Sequence, residues 1–452
     1  MAVIISPSSA DRGEAGAAAG QGEAPWPSPA RGWTAVAIFC VAAILSYTDR
    51  QILSLLVDPI RADLKITDTQ IGLLQGVAFA LVYSVAGLPF GRLADLVARR
   101  TVILSGVVIW SLGTLLCGLS DSFWMMFAGR FVVGIGEAAL APAAVSMIGD
   151  LFAPRRRGLA TGTFMMGMVV GGGAAIAIGG VILTVAATGA FAGLPLLGGL
   201  APWRIALVLL SLSGAPMLVM LSLVREPERR GADGSGAAIS GSAFGQLRRY
   251  RKSLAPLVLG CALMSVGDFA LVAWAPSLLS RNYGMAPGQI GAWLGIILAV
   301  TGVAGAVGGG FLSDWFAQRR GPSARASLAV GLAVIAAPWS LVWATGAPWS
   351  LLALISLWSL FSSMTAIAGV AAVQEIVPNT LRGLSISLIA FGNIMMGLGV
   401  GTTAAGVLAD KVFGDPHALG QALTLCVTPA ALGAVLCFFL AARARRRTGV
   451  EA

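Results

Sequence analysis

The 452-residue chain has little of what water-soluble proteins put on their surfaces or enzymes put in their sites. Charged residues make up 11% of it, and there is one histidine, His417. With 57% of residues apolar and a mean hydropathy of +0.85, polar residues are too few to wrap several water-soluble cores. A buried histidine relay is excluded by the inventory. Cys40, Cys117, Cys261, Cys426 and Cys437 fall singly in apolar runs, without the spacing of a metal site or a disulfide framework, and read as packing residues. There is no Gly-x4-Gly-Lys-Ser/Thr phosphate loop and no polar stretch long enough for a nucleotide-binding domain. No cofactor, metal or enzymatic activity is expected, and any work the chain does has to draw on a gradient and not on nucleotide hydrolysis. Residues 1–31 carry no basic region followed by an apolar core, so they read as a disordered cytoplasmic tail and not as a signal peptide.

Long apolar runs are abundant. A helix needs about 20 mostly apolar residues to cross ~30 Å of hydrocarbon, and the chain offers twelve such runs: 33–57, 70–94, 101–120, 123–149, 158–187, 202–224, 254–280, 288–313, 325–346, 350–375, 383–409 and 418–442. The 59 glycines suit membrane helices, whose backbones approach closely through small residues. The breaker-rich stretch from Gly189 to Ala201 reads as a loop. The net charge of +10 is no nucleic-acid footprint, because it sits in short loops on one side of the membrane. Those loops hold Arg99 and Arg100, Arg155 to Arg157, the linker from Arg225 to Lys252, Arg319, Arg320 and Arg325, and the terminal Arg443, Arg445, Arg446 and Arg447. The opposite loops carry a mixed set, with Asp58, Arg61, Asp63, Lys65 and Asp68 between the first two spans. Basic loops stay in the cytoplasm, so both termini are expected there, with a bacterial inner membrane as the location. The expected division is a tail (1–31), a six-helix bundle (32–224), a linker (225–253), a second bundle (254–443) and a short tail (444–452).

The two bundles carry a repeat. Gly91-Arg92-Leu93-Ala94-Asp95, followed by Arg99-Arg100, matches Gly310-Phe311-Leu312-Ser313-Asp314, followed by Arg319-Arg320. Asp150 with Arg157-Gly158 matches Glu375 with Arg382-Gly383 at nearly the same offset. Two independent matches imply duplication, hence an all-α membrane protein of twelve helices in two pseudo-symmetric halves. Such halves bind substrate between them near midplane and alternate access by rocking. Gly91, Asp95, Arg99, Arg100, Asp150, Arg157, Asp314, Glu375 and Arg382 are candidates for a cytoplasmic gate. Simple interfacial charge explains the arginines about as well, but leaves Asp95 and Asp314 unexplained.

Five ionisable residues lie inside spans, where charge is costly and marks function by default: Asp49 and Arg50 in span one, Arg130 and Glu137 in span four, and Asp268 in span seven. Arg50 and Arg130 fall at similar depth, and Arg130 and Glu137, seven apart, project from one helix face. One reading is a purely structural ion-pair network. The other has Asp49 and Glu137 exchanging protons while Arg50 and Arg130 engage an anion, since gaining or losing an arginine partner changes a buried carboxylate's affinity for a proton. Tyr47, Asp268, Trp274 and Phe391 are further candidates for the substrate wall, with Trp293 beside them. Asp268 has either a hydrogen-bonding or cation-binding role or a packing role.

Over nearly its whole length the chain resembles the major facilitator superfamily, Gly91-x-Leu93-x-Asp95-x4-Arg100 being similar to the signature loop between that superfamily's second and third helices. Leu96 and Ala98 depart from it. Tyr47-Thr48-Asp49-Arg50, Ile71-Gly72-Leu73-Leu74-Gln75-Gly76, Gly134-Ile135-Gly136-Glu137-Ala138, Trp203-Arg204 and Arg225-Glu226-Pro227 resemble the spinster branch, whose animal members carry sphingosine phosphate or lysophospholipids. That resemblance implies a coupling site at Asp49, Arg50 and Glu137. Anion:cation symporters share the Asp-Arg and Arg/Glu placement, and these motifs do not separate the two. The expectation is a monomeric, proton-coupled secondary transporter of an organic or amphipathic anion, with membrane lipid, protons and a small solute as partners and no nucleic acid. The alternative is a proton-antiport exporter of lysolipids, sphingolipid-like molecules or drugs.

Overall fold

The computed structural model describes residues 26–195, 197–229, 245–321, 324–342 and 346–448. Most of the expected leading tail, the middle of the linker with Arg230, the end of the ninth run at residues 343–345, and the last four residues lie outside the described residues. Among the described residues there is no strand.

Among the described residues eleven helices are long and apolar enough to cross a bilayer: α1 (Pro29–Leu64), α2 (Asp68–Leu96), α3 (Arg99–Gly118), α4 (Phe123–Leu151), α5 (Arg155–Ala187), α6 (Pro202–Leu223), α7 (Gly245–Tyr283), α8 (Pro287–Arg320), α10 (Pro348–Ile376), α11 (Leu381–Phe413) and α12 (Pro416–Ala444). A shorter apolar helix, α9 (Ala324–Ser340), completes twelve. It closes in a 3₁₀ turn around Pro338, short of the expected residue 346. Helix α1 runs past the expected end at 57 to Leu64, where Lys65 caps it in the left-handed region at φ 53°. Asp58, Arg61 and Asp63 therefore sit on its last turns and not in a loop.

The spans that carry the site are interrupted, each for a local reason. In α4, regular helix stops at Glu137 and resumes at Leu140; Pro142 has no N–H to give the carbonyl four residues earlier, at Ala138. In α2 the break falls at Gly76. Residues Asn393–Gly401 and Leu408–Phe413 of α11 form wide π turns.

Helices α1 to α6 and α7 to α12 form two six-helix halves, which meet along two seams, α2 against α11 and α5 against α8. The seams are tight over only half their length. Toward the end away from the termini, the far end, a Cβ on Gly76 would lie 2.3 Å from Thr402 Oγ1, and one on Gly173 2.5 Å from the Gly295 carbonyl. Toward the end that holds the termini, Cβ atoms on Gly87, Gly91, Gly158, Gly162, Gly310 and Gly383 would meet nothing within 4 Å. The molecule is closed at its far end and splayed at its terminal end.

Candidate functional site

The α1 sequence Tyr47-Thr48-Asp49-Arg50 faces α4 in the closed half of the molecule. Arg50 donates to Glu137 Oε2 from Nη2 at 2.7 Å and from Nε at 3.2 Å, and Arg130 lies 3.8 Å from Asp49. The pairs cross: each helix supplies the acid for the other's base. Thr114 of α3 donates its hydroxyl to Asp49, and Arg130 Nε donates to the Leu74 carbonyl at 3.4 Å. No member of the quartet is more than 7% exposed. Phe79 of α2 stands between the bases, its ring 4.5 Å from the Arg50 guanidinium and 5.3 Å from that of Arg130. Tyr47 and Tyr83 complete an aromatic box around Arg50, each at 4.7 Å. The two acids and two bases balance, as burial demands. One donor, Arg130 Nη2, is buried without a partner.

Beside this quartet a cavity of about 270 Å³ opens between the halves, walled by α1, α5, α7, α8 and α10. Tyr47 and Gln51 come from the first half; Asp268, Phe269, Trp358 and Ser363 come from the second. Asp268 Oδ1 accepts from the Trp358 indole at 2.9 Å. Of the other candidates for the wall, Trp274 is fully buried and donates to the Thr402 carbonyl at 2.9 Å, bolting α7 to α11 outside the cavity. Phe391 is 54% exposed and also lies outside it, and Trp293 packs edge-on against Trp349. A larger cleft of about 690 Å³ between α2 and α4 is lined by apolar residues such as Val85, Phe90 and Phe131, with nothing to orient a polar solute.

The candidate gate residues bind within their own halves. Arg99 pairs with Asp150 and Glu226 in the first half, and Arg325 pairs with Asp314 and Glu375 in the second. Arg157 Nε donates to the Phe152 carbonyl at 2.9 Å and Arg382 Nε to the Gln374 carbonyl at 2.8 Å, a second matched pair. Arg100 takes Glu226 through its backbone N–H at 2.9 Å. Asp95 is exposed, its backbone carbonyl accepting from Arg229. The counterpart of Arg99 is thus Arg325; Arg319 and Arg320, which follow the repeated motif in sequence, lie over the Trp315 and Phe316 rings instead.

Ion pairs between the halves occur at the far end. Arg281 of α7 takes Asp58 of α1 at 2.7 Å and both oxygens of Asp68 of α2 at 2.7 and 2.8 Å. Asp410 of α11 accepts the Thr69 backbone N–H. Reasoning from sequence missed this cluster because its members read as ordinary boundary charges. The one available signal was Arg281, a basic residue on the side where such residues are scarce.

The superfamily model for the Major Facilitator Superfamily matches residues 39–401. The chain belongs to the major facilitator superfamily. It is a membrane transporter and not an enzyme. An MFS-type efflux pump of Mycolicibacterium smegmatis is 30% identical over 94% of this chain and 95% of its own. Protein spinster homolog 3 of Danio rerio is 32% identical over 56% of this chain and 49% of its own, so the chain spans about half of that relative. A solved bacterial homolog of the human lysosomal transporter Spinster, inward-facing and unoccupied, shares the fold with a TM-score of 0.75 at 24% identity, covering 92% of this chain and 96% of that one. Within the superfamily the chain is similar to spinster proteins over about half of their length.

Proposed function

We propose that this transporter exports an amphipathic solute in exchange for protons, with Asp49 and Glu137 as the proton-carrying groups. The observation that carries the reading is the crossed quartet. It is neutral as it stands, so a proton arriving on either carboxylate leaves a buried guanidinium without its counter-charge, a state costly enough to drive a rearrangement of α1 against α4. The quartet lies next to the cavity and shares Tyr47 with its wall, which gives protonation a route to the solute. The full-length similarity to an efflux pump supports the direction of transport.

The basic loops belong on the cytoplasmic side, so the splayed terminal end opens to the cytoplasm and the conformation is inward-facing. On closure of that end, Asp95 and Asp314 come within reach of the opposite half. The second reading, import of an organic anion held by Arg50 and Arg130, is favoured by one observation, the unpartnered Nη2 of Arg130. Against it, both guanidiniums already hold a carboxylate and neither lines the cavity.

The test uses proteoliposomes loaded with a fluorescent amphiphile. Asp49→Asn and Glu137→Gln are expected to abolish transport driven by a pH gradient and to retain counterflow, which needs no net proton movement. A pH-gradient response at wild-type level in both variants eliminates the proposal. Arg130→Ala separates the readings, since loss of organic-acid binding in that variant alone would establish the anion importer.

A further inference from the structure

The central cavity contains one carboxylate and no base. Among the described residues no ion pair reaches Asp268, and no arginine or lysine contributes to the cavity wall. Asp268 is half-buried and its carboxylate is held in place. The bond from the Trp358 indole fixes Oδ1, and Trp358 is itself 1% exposed. Gly267 makes that position possible, because a Cβ there would stand 2.1 Å from Trp358 Cζ2. This deep acid faces a cavity and has no counter-charge among the described residues. Around it the wall is aromatic and hydroxylated: Tyr47, Phe269, Trp358, Ser359 and Ser363, with the Gln51 amide. Aromatic faces favour a cation and the hydroxyl oxygens can accept from an ammonium group, while the wall has no arginine or lysine to meet the charge of an anion.

We propose that Asp268 is the headgroup subsite of this transporter and that it selects solutes bearing an ammonium group, whose charge is met by the carboxylate and whose carbon substituents lie on the aromatic wall. The inference rests on the cavity being the site of transport, and it names the substrate class that the export reading leaves open. It also divides the labour between the halves: protons are handled by α1 and α4, and the charge of the solute by α7. At about 270 Å³, close to the lower bound of ligand pockets, the cavity takes a headgroup and a short apolar body.

The test is equilibrium binding to the full-length protein in detergent at constant pH, with three probes of one shape. They are phenylbutyl trimethylammonium, its uncharged isostere with carbon in place of nitrogen, and phenylbutane sulfonate. The wild type is expected to bind the cation at least about tenfold more tightly than the isostere and the sulfonate least. Asp268→Asn should erase the preference for the cation while leaving the isostere's affinity unchanged, and Asp268→Glu should restore part of it. Equal binding of cation and isostere by the wild type overturns the proposal, as does a preference that survives Asp268→Asn. Displacement of the cation by millimolar sodium, with no effect of an equal concentration of a bulky organic cation, also overturns it by making the subsite one for an inorganic ion. If the Asn variant does not fold, the wild-type comparison of cation with isostere still decides. Binding is read without a gradient, so failure of the proton-exchange reading leaves this result intact.

Discussion

The quartet of Asp49, Arg50, Arg130 and Glu137 ties stability to coupling at the level of single side chains. Removing one member of a buried pair strands the other, which costs about 3–5 kcal/mol. Arg50→Ala is accordingly expected to lower the melting temperature in detergent substantially, and adding Glu137→Gln should recover part of the loss. Independent, additive effects of the two substitutions would mean that the Arg50–Glu137 contact carries no coupling energy. Thr114→Val is a milder probe. It removes the hydroxyl that donates to Asp49, and leaving that carboxylate short of a donor is expected to cost about 1–3 kcal/mol, with transport shifting in its pH dependence before it fails. The positions of these residues were legible in the sequence because charges inside apolar runs stand out. Their pairing was not. Spacing along α4 placed Arg130 and Glu137 on one face, but which acid took which base depended on the break at Ala138 and on Phe79, a residue of a third helix with no charge to draw attention.

At the level of helices, the far-end seams decide which side is closed. Gly173 meets the Gly295 carbonyl and Gly76 meets the Leu398 carbonyl and the Thr402 and Thr403 hydroxyls, so a side chain at either position has to push the halves apart. Gly173→Val is expected to disfavour the present conformation, raising the reactivity of a cysteine placed at Thr403 toward a membrane-impermeant maleimide from outside the cell. Gly310→Ala, where a Cβ meets nothing, should leave that reactivity at its starting level. Arg281→Gln is expected to act in the same direction as Gly173→Val, since it releases Asp58 and leaves Asp68 only its 3.4 Å contact with Arg61; unchanged labelling in that variant would show that the ion pairs follow closure without stabilising it. The seams could not be read from sequence, because in a chain with 59 glycines those that meet a partner look like those that do not. The Arg281 cluster was hidden for a related reason, its acids lying on helical turns that were read as loop.

For the whole molecule, the repeated motif was enough to infer two six-helix halves, because duplication leaves paired marks at corresponding positions. The structure adds the pairing of Arg99 with Arg325 and gives Arg157 and Arg382, already matched in sequence, like bonds to backbone carbonyls. Register slipped only where the second copy gained residues between its motif and its next helix, placing Arg319 and Arg320 where Arg325 was needed. Symmetry governs the outer frame and not the interior, where the first half carries two acid–base pairs and the second a single acid. Carriers with one alternating cavity saturate, so uptake into proteoliposomes is expected to level off with solute concentration and to show counterflow; a flux that rises linearly without limit would indicate a pore.

The glycine seams have one more consequence. A joint made of glycines, carbonyls and two threonine hydroxyls uses none of the side chains that line the chamber, so its closure does not depend on which side chains those are. Changes at Gln51, Phe269 or Ser363 can then alter the cargo without retuning the machine that moves it, leaving a single mechanical cycle free to serve many chemical selectivities.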